Sequence, residues 1–201
     1  MDDLIPLFDP DKEEVLKPCT LLMMSCSATK LKRGPEARPI PASRLYNGPL
    51  WQTLRTYIPD ELNVREHNTT ICVLSGKHGF GSAHSYIGDY EARLTEQKAD
   101  YLIERGIYAP NDRFGAIKPN RIRGSSAYVE AGAGWQLRSY AYNPYARVIM
   151  VGAGPYMRVF ESFLAGFKEA DLVAADAVVL RAKGGIGEQR SQLGTWLREA
   201  A

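Results

Sequence analysis

The sequence predicts an α/β fold, a single Rossmann-like three-layer domain around a mostly parallel β-sheet. Four short apolar runs have the length and composition of strands that are buried on both faces. Segments with helical spacing of apolar residues separate these runs, and such alternation produces a parallel sheet that helices cover on both sides. With 201 residues, the chain is long enough to bury one core of this kind.

The elements can be placed in chain order. Residues 1–17 form an acidic N-terminal leader before the predicted domain, which spans 18–201. The apolar run CTLLMMSCS is followed by a polar loop and by a helix in which Pro49 suits the first turn. A second apolar strand precedes a helix that Thr95 caps and Gly106 ends. The predicted strands are 20–26, 70–75, 147–152 and 177–181, and the predicted helices are 48–58, 94–108, 127–141, 156–167 and 188–200.

Composition excludes several classes of protein. The hydrophobic share of 45% and the charged share of 24% are typical of a globular chain, and no apolar stretch approaches the roughly 20 residues that cross a bilayer. We therefore expect no membrane partner, and because the N-terminus lacks a signal-peptide pattern we expect a cytoplasmic location. The cysteines and histidines lack the spacing of metal ligands, and no GxGxxG motif follows the first strand, so no metal, cofactor or dinucleotide is expected.

Small, hydroxyl-bearing and cationic residues follow the four predicted strands. Ligands of open α/β sheets bind beyond the carboxyl ends of the strands, where glycines admit a ligand to the backbone and helix N-termini favour anions. Lysine supplies charge at such an edge, and histidine supplies a titratable ring. The residues concerned are Ser25, Cys26, Ser27 and Lys30 after the first strand, Ser75, Gly76, Lys77 and His78 after the second, Gly152 and Gly154 after the third, and Gly184 and Gly185 after the fourth.

Each of these loops also has a simpler interpretation. Glycines after strands commonly form turns, and a single histidine in a loop is commonly a solvated side chain. The coincidence of four such loops favours a shared ligand site, suited to a phosphate or a polar nucleobase. The basic segment 113–123 is expected either to be a solvated loop or to contact a phosphate backbone. Its cations are Arg113, Lys118, Arg121 and Arg123.

Four segments, MSCSATK, ASRLYNGPLWQTLR, VLSGKHGF and YIGDYEARL, resemble a domain family of bacteria and phages. Its pattern is SCSxxK, then LYxGPL, then SAKHG, and the resemblance covers roughly residues 19–94. That family is similar to the YaaA peroxide-stress proteins and, more distantly, to the lysine-transferring domain of archaeosine synthase. The resemblance implies a fold like that of uracil-DNA glycosylase. The matching positions are Ser25, Cys26, Ser27, Lys30, Arg44, Leu45, Tyr46, Gly48, Pro49, Ser75, Lys77, His78, Gly79 and Tyr90.

The chain departs from the family pattern at three positions near these motifs. Gly76 stands where the family has Ala, Asp89 where it has Pro, and Glu91 where it has Asp. Because the segment 80–89 is altered, the substrate need not be shared with the family.

Two classes of function remain open. The first is an enzyme that acts on a nucleobase or nucleotide by glycosidic cleavage or group transfer in nucleic-acid modification. In it, Lys77 or Lys30 stabilises developing negative charge and His78 or Glu91 moves a proton, with Asp89 as a second acid. Residues that could stack on a base are Tyr46, Tyr86 and Tyr90.

The second class is a non-enzymatic nucleotide-binding or DNA-binding protein that uses the same residues for affinity alone. The resemblance to YaaA-type proteins implies association with DNA. An enzyme is expected to enclose a pocket in which His78 lies near a carboxylate. A binding protein is expected to present a shallow basic surface that continues into the segment 113–123.

Overall fold

A computed structural model describes residues 19–34, 37–58, 68–110, 132–138 and 143–200. Within these ranges the chain forms an α/β fold with strands and helices in alternation. The strands are β1 (Thr20–Ser25), β2 (Ile40–Pro41), β3 (Thr69–Ser75), β4 (Gly79–Ser82), β5 (Tyr86–Ile87), β6 (Tyr145–Val151) and β7 (Val173–Arg181). The helices are α1 (Ala42–Leu45), α2 (Pro49–Tyr57), α3 (Glu96–Arg105), α4 (Ala133–Arg138), α5 (Pro155–Glu169) and α6 (Ile186–Ala200).

The main sheet has five strands in the order β4-β3-β1-β6-β7. β1 pairs in parallel with β3 and β6, and β6 pairs in parallel with β7, while β4 lies antiparallel to β3 at one edge. The predicted α/β class and mostly parallel sheet are therefore confirmed. The four parallel strands β1, β3, β6 and β7 point the same way, so the loops that follow them emerge at the same end of the sheet. We call this end, where the carboxyl ends of the strands lie, the carboxyl edge.

Two apolar layers cover the central strand. Leu21 and Met23 of β1 pack with residues of α3, α4 and α5 on one face, and Leu22 and Met24 pack with residues of α1, α2 and α6 on the other. All four side chains are fully buried. A strand buried on both faces needs apolar residues at consecutive positions, which is why β1 shows a continuous run and no alternation.

Local signals in the sequence explain where several helices begin and end. Pro49 and Pro155 occupy the first turns of α2 and α5, and the Thr95 side chain caps α3 by accepting from the Lys98 backbone N–H at 3.2 Å. Gly106 ends α3 with a φ of 70°. No helix in the described part of the chain combines the length and the apolar character that crossing a bilayer requires.

The segment after β3 is a hairpin that the sequence pattern does not predict. Ser75 pairs with Gly79, so only Gly76, Lys77 and His78 connect β3 to β4. Gly79, the first residue of β4, has a φ of 70°, a left-handed conformation that glycine adopts without steric strain. The Ser75 hydroxyl accepts the backbone N–H groups of Lys77 at 3.1 Å and His78 at 3.0 Å. The glycines around Lys77 and His78 therefore form a turn, which presents both side chains at the carboxyl edge.

We predict that Gly76→Ala destabilises the protein by about 1–3 kcal/mol, since overpacking of a close contact has a cost of this size. A Cβ at Gly76 would lie 2.5 Å from the Arg93 carbonyl carbon and 2.7 Å from the Leu94 nitrogen, and backbone atoms cannot rotate away. Gly185→Ala is the matched control, because a Cβ there meets nothing within 4 Å. Urea unfolding measures both changes, and equal midpoints for the two variants would contradict the prediction.

Candidate functional site

Loops from two neighbouring strands touch at the carboxyl edge. Cys26, directly after β1, has its Sγ 3.2 Å from the Tyr156 hydroxyl, in the first turn of the helix that follows β6. A Cβ built on Gly152 would lie 3.4 Å from the Ser25 Cβ. The backbone N–H of Leu94 also donates to the Tyr156 hydroxyl, at 3.2 Å. The ends of β1 and β6 and the segment before α3 therefore meet at one place.

Three of the predicted functional groups surround the ring of Tyr90. The ammonium of Lys30 lies 4.6 Å from the ring centroid and that of Lys77 lies 5.7 Å from it. The His78 ring meets the same ring edge to face, with centroids 5.0 Å apart. An aromatic face attracts a cation electrostatically, so the ring stabilises both ammonium groups. Residues from the β1 loop, the β3–β4 turn and the segment after β5 are brought together here.

A chain of hydroxyl groups runs beneath this cluster. Ser75 Oγ lies 2.7 Å from the Tyr90 hydroxyl, which lies 2.5 Å from the Tyr46 hydroxyl. Ser75 Oγ already accepts two backbone N–H groups, so its lone pairs are used and its own proton goes to Tyr90. Tyr90 and Tyr46 share the next hydrogen bond, in which either hydroxyl can be the donor.

Burial keeps these phenols protonated. It raises the pKa of Tyr46 well above its usual value, and the nearby hydroxyl of Tyr90 and thiol of Cys26 raise that pKa further. Burial, followed by the charge of Cys26, also raises the pKa values of Tyr90 and Tyr156. At neutral pH all three tyrosines are therefore hydrogen-bond donors and not bases.

The side chain of Lys30 is buried, with 6% of its surface exposed. Its ammonium lies 3.6 Å from a carboxylate oxygen of Glu91, a side chain that is 91% exposed. The backbone of Lys30 forms an isolated bridge with Tyr46, which fixes the loop after β1 against the segment before α2. The exposed Asp89 accepts the backbone N–H of Tyr90 at 2.9 Å.

His78 is neutral in the folded protein. Burial lowers its pKa to about 4, and the charges of Lys77 and Lys98 contribute to the shift. Its Nε2 is buried and has no hydrogen-bond partner among the described residues. A cavity of about 20 Å³ is lined by His78, Tyr46 and Ser75 together with residues of α1, β4 and β5. That is enough room for a water molecule, which needs roughly 10–15 Å³.

The glycine-rich loops after β6 and β7 differ in what they offer a ligand. Gly154 has a φ of 53° and caps α5, whose Met157 and Arg158 N–H groups turn back to its carbonyl. Gly184 has a φ of 81°, and the Glu188 carboxylate accepts the N–H of Gly185 at 2.7 Å. The N-terminus of α6 therefore already holds an anion, supplied by its own first turn.

The remaining predicted site residues lie at the margin of the cluster or beyond the described part of the chain. Ser27 accepts the backbone N–H of Thr29 at 3.1 Å and lies against Gly48, where a Cβ would come within 2.2 Å of its hydroxyl. Gly76 is buried, and Tyr86 is 48% exposed. The predicted nucleic-acid contacts fall outside the described residues: Arg113, Lys118, Arg121 and Arg123.

Three further residues support the site, although the sequence analysis did not single them out. Tyr156 contacts Cys26, and the Lys98 ammonium donates to the Gly76 carbonyl. Arg55 donates to the carbonyls of Ser43 at 2.8 Å and Tyr46 at 3.0 Å, and to the Asn47 side chain. A lysine in the first turn of a helix or a tyrosine after Gly-Pro carries no sequence signal for such contacts. Only their positions in the fold reveal them.

Comparisons with protein-family models, with curated proteins and with solved structures found no match. The resemblance to the SCSxxK and SAKHG family, and the uracil-DNA-glycosylase-like fold it implies, therefore stay predictions. Among the described residues, no group of three or more His, Cys, Asp or Glu side chains could hold a metal ion.

We predict that His78 makes stability depend on pH between about 4 and 6.5. In this window the unfolded chain binds a proton at a pKa near 6.5, while the folded protein, with a pKa of about 4, does not. The contribution of neutral His78 to the free energy of unfolding is therefore fully present at pH 7. It is lost as the pH falls, by about 2–3 kcal/mol at pH 4.5. Urea unfolding of wild type and His78→Gln at both pH values tests this. Identical losses would show that His78 does not cause the dependence.

We predict that Tyr90→Phe costs about 1–3 kcal/mol of stability, because it leaves the buried hydroxyls of Ser75 and Tyr46 without their shared partner. The ring remains, so the contacts of the two lysines and His78 are kept. Tyr86→Phe is the control, since that side chain is 48% exposed and its change should stay within about 0.5 kcal/mol. Thermal unfolding compares them, and a neutral Tyr90→Phe would refute the hydroxyl chain.

Proposed function

We propose that the protein is an enzyme that acts on a nucleobase or nucleotide, as a glycosylase or group transferase in nucleic-acid base modification. The observation that carries the proposal is the convergence of Lys30, Lys77 and His78 on the ring of Tyr90. These groups meet at the carboxyl edge, where open α/β sheets bind their ligands. Clusters of polar groups with a shifted pKa occur preferentially at functional sites.

The charges of the cluster suit a substrate that is anionic or becomes so. Two ammonium groups lie within 5.7 Å of one ring centroid, and the only carboxylate described close to them is that of Glu91. Cleavage of a glycosidic bond leaves the bonding electrons on the departing base, and fixed cations stabilise such charge. The restriction to nucleobases and nucleotides comes from the sequence resemblance, since cations alone also suit other anions.

The neutral side chains of the site have separate roles in this proposal. His78 carries no proton on one ring nitrogen, so it can accept a proton from the attacking group and later return it. Its low pKa makes it a weak base, which limits its contribution. The hydroxyls of Tyr46 and Tyr90 stay protonated and bond to each other, so they hold in place the ring around which the cations lie.

A second candidate function is a nucleotide-binding or DNA-binding protein without catalysis, and two observations favour it. Asp89 is exposed and Glu91 is 91% exposed, so neither carboxylate lies with His78 in an enclosed pocket. The cavity beside His78 is about 20 Å³, which is too small for a nucleobase without movement of its walls. Affinity through Lys30 and Lys77 requires neither an enclosed pocket nor an acid.

We predict that Lys77→Ala and His78→Ala each abolish nucleotide binding or turnover at pH 7.5 while the melting temperature changes little. Both side chains are partly exposed and neither forms a side-chain hydrogen bond with another described residue, so their loss has a small structural cost. Lys168→Ala is the control, because this partly exposed lysine lies at the far end of α5 from the site. Nucleosides, nucleoside monophosphates and a single-stranded oligonucleotide are incubated with each protein and analysed by mass spectrometry.

The outcomes separate the two candidates. A change in substrate mass or release of a free base by wild type, lost in both site variants, supports an enzyme. Binding without chemical change, lost in the same variants, supports the non-enzymatic alternative. Equal behaviour of Lys77→Ala, His78→Ala and Lys168→Ala would overturn both, because the cluster would then contribute nothing to the ligand.

A further inference from the structure

We propose that Lys30 is the binding point for a phosphate group of the substrate, and that Glu91 is a displaceable anion which occupies that point in the free protein. The inference rests on the proposed function for the nucleotide nature of the substrate. It assigns Glu91 a role that differs from the acid expected from the sequence. The site would then bind phosphate by exchanging one anion for another.

The two members of the ion pair differ strongly in burial. The Lys30 side chain is 6% exposed, and the Glu91 side chain is 91% exposed. A buried ammonium has lost most of its hydration and needs an anion or hydrogen-bond acceptors in return. The exposed carboxylate loses little when it moves away, because water solvates it in either position.

The contact between them is also incomplete. The Lys30 nitrogen lies 3.6 Å from Glu91 Oε1, which is beyond the usual length of a charge-assisted hydrogen bond. The ammonium also lies over the face of Tyr90, 4.6 Å from the ring centroid. An ammonium has three donors, and a phosphate oxygen can approach it directly where Glu91 does not.

The surrounding charge favours a doubly charged group over a carboxylate. Lys77 places a second ammonium 5.7 Å from the same ring centroid. Lys98 donates to the carbonyl of Gly76, next to Lys77, and its charge acts on His78. Lys30 and Lys77 therefore lie around the same ring, with Lys98 close to the turn that carries Lys77, and a phosphate brings up to two negative charges to them where Glu91 brings one.

Asp89 supplies an internal comparison. It is an exposed carboxylate two residues before Glu91, and its Oδ1 accepts the backbone N–H of Tyr90 at 2.9 Å. Asp89 forms no ion pair with a lysine in the described part of the chain. Asp89→Asn and Glu91→Gln remove the same charge from the same short segment, and an amide oxygen can still accept from the Tyr90 N–H. Only Glu91→Gln should free the Lys30 ammonium.

The test is a calorimetric titration with inorganic phosphate at pH 7.5 and constant ionic strength. We expect Glu91→Gln to bind phosphate about two- to fivefold more tightly than wild type, which matches the usual strength of an exposed ion pair. Asp89→Asn should bind like wild type, and Lys30→Met should bind at least about tenfold more weakly. Acetate should bind wild type more weakly than phosphate does.

Several results would overturn the inference. These are an equal gain in Glu91→Gln and Asp89→Asn, weaker binding by Glu91→Gln, unchanged binding by Lys30→Met, and no phosphate binding by any of the proteins. If Lys30→Met does not fold, the pair Glu91→Gln and Asp89→Asn decides alone, because both side chains are exposed. Phosphate binding with this pattern but no action on nucleotides would contradict the proposed function and still support the exchange of Glu91 for phosphate at Lys30.

Discussion

The candidate site depends on the hydroxyl of Ser75, the last residue of β3. This one oxygen accepts the backbone N–H groups of Lys77 and His78, and so fixes the conformation of the turn. It also forms a hydrogen bond with the Tyr90 hydroxyl, and so fixes the position of the Tyr90 ring. The ring in turn positions the ammonium of Lys30 from another loop. Because Ser75 is only 2% exposed, water cannot replace these partners, and the turn and the ring are coupled through a buried hydrogen bond.

The sequence predicts the inner part of this fold well, for a physical reason. β1, β3 and β6 are buried on both faces, so their residues read as continuous apolar runs that nothing else in a chain of this composition explains. β4 could not be predicted in the same way. Its residues Gly-Phe-Gly-Ser lack β-branched side chains and alternation, and it forms a strand because the tight turn before it returns the chain to the edge of β3.

The sequence can place residues that directly follow a strand, but it cannot place polar residues on helices relative to the end of the sheet. Ser75, Lys77 and His78 directly follow β3, and strand direction alone places them at the carboxyl edge. Tyr156 meets Cys26 across 130 positions of sequence, and this contact depends on how α5 is rotated against the sheet. Periodicity gives the apolar face of a helix, but it does not reveal which polar tip reaches over the end of the sheet.

Two carboxylates at the carboxyl edge show why similar loops need not have similar roles. Glu188 accepts the N–H of Gly185 at 2.7 Å and lies in the first turn of its own helix, so it satisfies the backbone and closes that loop. Glu91 lies 3.6 Å from a buried ammonium and remains 91% exposed, so it leaves Lys30 only partly satisfied. A protein gains stability from the first arrangement and little from the second. The buried, incompletely paired ammonium of Lys30 is more readily understood as a binding position for another anion. Lys30 lies beside the loops that follow β1 and β3, away from the loop that follows β7.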